Sequence, residues 1–148
     1  MTQISKKFVK PETLEKTFDL LLASLLKSGG KADTKEFLED LLTPTEKVMI
    51  AKRIAIAYLL LQEVDHRTIS EMLKVSTSTI NRISFVLNRQ GAGFKRVLKR
   101  LLREKKINNI LEEVGELLFN SLPPKYGDKR AWAKEKFVRK MTRQSPLS

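Results

Sequence analysis

The chain contains no cysteine, which excludes disulfide frameworks, thiolate zinc sites and thiol nucleophiles together. Histidine occurs once, at His66, on what reads as an exposed helix position. Glycine is scarce, and Gly91-Ala92-Gly93 lacks the flanking strand and the further glycines of a phosphate-cradling loop. Aromatic residues make up 7% of the chain, too few to suggest a platform for stacking bases. No apolar run approaches the roughly 18 residues that a membrane span needs, and the opening "MTQISKKFVK" has no apolar stretch after its lysines. A cytoplasmic, nucleoid-associated protein is the expectation. The carboxylate pairs Glu39-Asp40 and Glu112-Glu113 read as solvated helix faces with no partner at catalytic spacing. No catalytic residue, metal ligand or cofactor is therefore expected, and the chain does not read as an enzyme.

What is present in excess is positive charge: 29 Lys and Arg against 17 Asp and Glu leave a net of +12, a surface that attracts polyanions. The excess lies in two blocks. Arg89 to Lys106 holds eight basic residues and one acidic, a net of +7, and Asp128 to Ser148 holds seven against two, a net of +5. Either block alone reads as a solvated surface, whereas the two together favour polyanion binding.

Every periodic segment is helical and none alternates as a strand does, so the fold class is all-α. A first helix is expected from about Pro11 to Lys27, with proline at its first position, Glu12 and Glu15 at its positive end, and a stripe of Leu14, Phe18, Leu21, Leu22, Leu25 and Leu26. Asp33 with Glu36 reads as a capping-box-like start of a short helix through Leu41, and Thr43-Pro44-Thr45-Glu46 repeats that signal. The helix that follows, to about Glu63, is apolar on nearly every side after its first turn, and its surplus aliphatic side chains are worth on the order of 1.5 to 3 kcal/mol each when buried. A second copy of the chain is expected to cover them. Gln90 to Gly93 reads as a loop. Beyond it Phe94, Val97, Leu98, Leu101 and Leu102, then Ile107, Ile110, Leu111, Val114, Leu117 and Leu118, carry one helical period to about Phe119, and Pro123-Pro124 ends it. The expected division is a helical domain over residues 1–122 and a basic tail over 123–148, the tail being either disordered or a helix that forms on a partner.

The stretch "TISEMLKVSTSTINRIS", Thr68 to Ser84, carries the sharpest signal. A helix from about His66 to Leu73 puts Ile69 and Leu73 inward, Val75 fills the corner, and Ser76 suits the N-cap of a second helix on which Ile80 and Ile83 face inward. Thr77, Ser78, Asn81 and Arg82 then face out. This is the helix-turn-helix pattern, expected over 66–86, whose second helix enters a DNA major groove. Hydroxyls for phosphates or bases, an asparagine able to pair with adenine and an arginine able to pair with guanine suit that task. The expected base readers are Ser76, Thr77, Ser78, Asn81 and Arg82. Expected backbone contacts are Arg67, Lys74, Thr79, Arg89, Lys95, Arg96 and Lys99. Lys74 stands at the turn position that favours glycine, a cost of about 1 kcal/mol.

"LLTPTEKVMIAKRIAIAYLL", Leu41 to Leu60, followed by "TISEMLKVSTSTINR", Thr68 to Arg82, resembles the Trp repressor superfamily, and the continuation "SFVLNRQGAGFKRVL" is similar to its YerC/YecD type. The resemblance covers about Phe37 to Leu102. It implies an intertwined helical homodimer, with an extra C-terminal helix and basic tail here, that binds double-stranded DNA at a roughly palindromic site as a transcriptional regulator, expected to be a repressor. It also implies an effector pocket at Thr43, Arg53 and Arg82. The glycine that follows the second arginine in the tryptophan-binding members is Ile83 here, whose branched side chain crowds an indole, so a tryptophan corepressor is not expected. Arg53 equally suits an interfacial ion pair and Arg82 a phosphate contact. The competing reading is an RNA-associated or architectural protein that binds through its basic helix and tail, with attachment to a membrane surface through the tail a more remote one.

Overall fold

A computed structural model describes residues 8–120 and Glu135. The sequence expectations for Pro123-Pro124 and, Glu135 apart, for the basic tail lie outside the described residues. Seven helices and no strand are found among the described residues: α1 (Pro11–Lys27), α2 (Lys31–Leu41), α3 (Pro44–Leu61), α4 (His66–Leu73), α5 (Thr77–Arg89), α6 (Ala92–Arg103) and α7 (Lys105–Asn120). The chain divides into two compact units, Met1–Val48 and Met49–Ser148.

In the first unit, α1 has Pro11 at its start, Glu12 in its first turn and Lys27 in its last, as the macrodipole favours. Neither α1 nor α2 buries a single residue, and Phe18, Leu20 and Leu26 stand 58%, 66% and 86% exposed. The start of α2 differs from expectation. Its N-cap is Gly30, with φ 141°, and no side chain caps it. Thr34, rather than Asp33, ties the corner: its hydroxyl donates to the Gly30 carbonyl at 2.7 Å and lies 2.6 Å from the Ser28 hydroxyl. The capping box of α3 is formed as expected. Thr43 donates its N–H and its hydroxyl to the Glu46 carboxylate at 2.9 and 2.7 Å, and Glu46 returns its N–H to the Thr43 hydroxyl at 3.3 Å. Those donors hold the Glu46 carboxyl below its ordinary pKa.

The second unit contains the core. Ile56, Ala57, Tyr58 and Leu59 from the C-terminal half of α3 meet Ile69, Met72 and Leu73 of α4, Ile80, Ile83 and Leu87 of α5, and Leu98 and Leu102 of α6. Leu118 of α7 packs against this cluster, and α7 lies against α4 and α6. Tyr58 is buried, and burial with the nearby Glu112 carboxylate raises its phenol pKa, so the hydroxyl stays protonated. Gln62 is also buried, 2% exposed, with both side-chain polar atoms lacking a hydrogen-bond partner among the described residues.

Three boundaries depart from the apolar period. First, α3 stops at Leu61, where Val64 N–H bonds to Leu59 O at 3.1 Å and Glu63 N–H to Leu60 O at 3.0 Å, with Glu63 left-handed at φ 61°. This is a Schellman closure built on a residue other than glycine. Second, the loop expected from Gln90 to Gly93 shrinks to Gln90 and Gly91. A Cβ on Gly91 would lie 2.4 Å from Leu87 Cα and 2.8 Å from its carbonyl oxygen, so only glycine allows so close a return of the chain. Third, Glu104 is extended, with ψ 113°, and separates α6 from α7 where one continuous period is read.

Candidate nucleic-acid interface

The site is built on α4 and α5. Asp65 caps α4, accepting the Thr68 N–H at 3.0 Å and the Thr68 hydroxyl at 2.6 Å. Burial alone would raise the Asp65 pKa, but these bonds, with backbone N–H groups of Asp65 and Arg67, outweigh it and hold the carboxyl below its ordinary value. The turn follows at Lys74, left-handed with φ 51° and ψ 53°. Val75 N–H bonds back to Ser70 O at 3.3 Å, and the Ser70 hydroxyl donates to Val75 O at 2.6 Å. Ser70, expected as a small residue at a close helix approach, thus also fastens the turn.

Ser76 caps α5, accepting the Thr79 N–H at 3.3 Å, and its hydroxyl lies 2.9 Å from both the Ser78 and Thr79 hydroxyls. On the inner face Ile80, Ile83 and Leu87 are buried. Thr77, Ser78, Thr79, Asn81, Arg82 and Arg89 are exposed, as are Arg67 and Lys74 beside them. The Ser76 hydroxyl is committed to the cap, which leaves Thr77, Ser78, Asn81 and Arg82 as the outward polar row.

Two features of this surface escape the sequence. Phe85 is 57% exposed, and the Arg89 guanidinium lies over its ring at 5.2 Å. Ser78, Arg82, Phe85 and Arg89 follow the three- and four-residue spacing of one helix stripe, so that signal was available. The second feature was not. His66, expected to be exposed, is half-buried, and its Nδ1 lies 2.8 Å from Asn81 Oδ1 across the two helices.

On α6, Arg96, Lys99, Arg100 and Arg103 are exposed opposite buried Leu98 and Leu102, and Lys95 is half-buried at the margin. Of the residues read as an effector pocket, Thr43 belongs to the first unit, where its hydroxyl serves the α3 cap, while Arg53 and Arg82 are exposed residues of the second. Ile83 is in the core, 8% exposed. Among the described residues no group of histidines and carboxylates is placed to hold a metal ion, and no helix is long and apolar enough to cross a membrane.

Two short helices joined by a left-handed turn, the second capped by Ser76 and bearing a polar outer row, have the helix-turn-helix arrangement. The sequence pattern of the Trp repressor protein family matches residues 16–102, which is more than half of the chain, and the protein belongs to that family. The family is regulatory and DNA-binding rather than enzymatic. No curated protein and no solved structure matches the chain.

Proposed function

We propose that the protein is a sequence-specific transcriptional regulator, a repressor by family precedent, that binds a roughly palindromic site as a homodimer through Thr77, Ser78, Asn81 and Arg82. The observation that carries the reading is the division of α5: Ile80, Ile83 and Leu87 are buried on its inner side while Thr77, Ser78, Asn81 and Arg82 are open to solvent on the other. A helix in this state can slot into a major groove without unfolding anything. Ser76 contributes by holding the helix N-terminus, and Arg67, Lys74, Thr79, Arg89, Lys95, Arg96 and Lys99 supply the backbone contacts that fix register. A homodimer is supported by apolar surface that the single chain leaves open on α3, where Val48, Ile50 and Ile54 are 53%, 44% and 47% exposed. Two readers related by a twofold axis would meet half-sites one helical turn apart.

Selection from a random duplex pool tests this directly: an enriched sequence with twofold symmetry is the expected result. Asn81→Ala should then relax selectivity at one base pair of each half-site, by about 1 to 3 kcal/mol. An equal loss on all sequences would remove Asn81 from the readers. Arg53 and Arg82 remain the proposed contacts of an effector other than tryptophan, and titration calorimetry with L-tryptophan should show no heat. The basic face of α6 favours a second reading, binding to structured RNA or to DNA without sequence preference. Competition between duplex DNA and folded RNA at one salt concentration separates it from the first.

A further inference from the structure

We infer that His66 is a positioning residue for base recognition, which sets the plane of the Asn81 amide and so the base that Asn81 reads. The inference rests on the proposed function and extends it to a residue on the other helix of the motif. The observation is the 2.8 Å contact between His66 Nδ1 and Asn81 Oδ1. A carbonyl oxygen can only accept, so the imidazole carries its proton on Nδ1 and donates it. His66 is the first residue of α4 and Asn81 the fifth of α5, so this bond spans the two helices of the motif.

The consequence is chemical. An exposed asparagine ordinarily turns about two side-chain torsions and presents either edge of its amide. Here one lone pair of Oδ1 is taken by His66, which leaves the second lone pair and the two N–H donors of Nδ2 to face outward. Adenine is read by an amide that accepts from N6 and donates to N7 in one plane, and guanine offers two acceptors, O6 and N7. The anchored amide can meet adenine only in the plane that His66 imposes. Removing His66 frees the amide to turn, and discrimination between purines at that base pair weakens. Prior ordering also lowers the conformational cost of binding.

The test is a double-mutant cycle on the duplex that the wild-type protein selects, with each base substituted in turn at the pair that Asn81→Ala relaxes. His66→Ala is expected to reduce preference at that same pair by about three- to tenfold. In the Asn81→Ala background the same change should have no further effect. A loss from His66→Ala that is equal in both backgrounds, or spread evenly over all base pairs, overturns the inference, because it would describe a phosphate contact or a contribution to the fold. If His66→Ala fails to fold, His66→Gln, which keeps a donor, is compared with His66→Leu, which does not. Retained preference in the glutamine variant alone supports the role, and equal preference in both overturns it. Nitrogen-detected NMR of the DNA-free protein supplies an independent readout: a proton on Nδ1 is expected, and an Nδ1 without one overturns the inference. Failure of the wild-type protein to select any sequence would overturn the proposed function and this inference with it. Selection with an unaltered preference in His66→Ala would overturn only the latter.

Discussion

Lys74 adopts a backbone conformation, φ 51° and ψ 53°, that side chains with a Cβ resist. Lys74→Gly is therefore expected to stabilise the fold by about 1 kcal/mol, read as a higher urea midpoint, while lowering DNA affinity if the ammonium contacts a phosphate. A gain in stability with affinity unchanged would leave the lysine without a role at the interface. Asp65 makes the neighbouring cap pH-dependent. Its pKa is lower in the folded chain than unfolded, so its contribution to stability is present above the unfolded value, near about 4, and is lost as pH falls through the folded value. Asp65→Asn keeps a capping oxygen but does not ionise. Acid unfolding monitored by circular dichroism should show a shallower pH dependence for this variant below about pH 4 than for the wild type.

At the scale of elements, helix starts were the more legible boundaries because capping chemistry is local: Thr43 with Glu46 and Ser76 with Thr79 lie three residues apart and make the bonds that their types imply. The ends of α3, α5 and α6 were less so. They depend on Glu63 in a conformation that glutamate seldom adopts, on the approach of Gly91 to Leu87, and on one extended residue at Glu104. The basic face of α6 gives a quantitative expectation. Each phosphate neutralised contributes about 0.9 to the slope of log K against log salt. The double variant Arg96→Gln and Lys99→Gln removes two cations from each copy, four from a dimer, and should lower that slope by about 3.6 in fluorescence anisotropy, with the preferred sequence unchanged. A slope equal to the wild type's would take α6 off the DNA.

For the whole molecule, the question is what covers the apolar side chains that one chain leaves open. The core of the second unit uses only the C-terminal half of α3, whereas Ile50 and Ile54 stay exposed, and α1 buries nothing. In the proposed homodimer these side chains would meet a second copy, and side chains of their size are worth about 1.5 to 3 kcal/mol each on full burial. Ile50→Glu with Ile54→Glu is accordingly expected to convert a dimer to a monomer in sedimentation at micromolar concentration and to abolish binding to a two-half-site duplex. A wild-type protein that sediments as a monomer would contradict the dimer outright.

The sequence alone determined the helical class, the caps of α3 and α5, the turn at Lys74 and the outward row on α5, because each follows from side-chain type and spacing within a few residues. It also bore the family resemblance over about Phe37 to Leu102, which lies within the residues 16–102 that the family pattern matches. The tertiary structure decided what depends on partners far apart in the chain. The His66 bond to Asn81 joins residues 15 positions apart, and no local period marks it. The raised pKa of Tyr58 likewise arises only when folding buries the phenol and brings Glu112 of α7 near it.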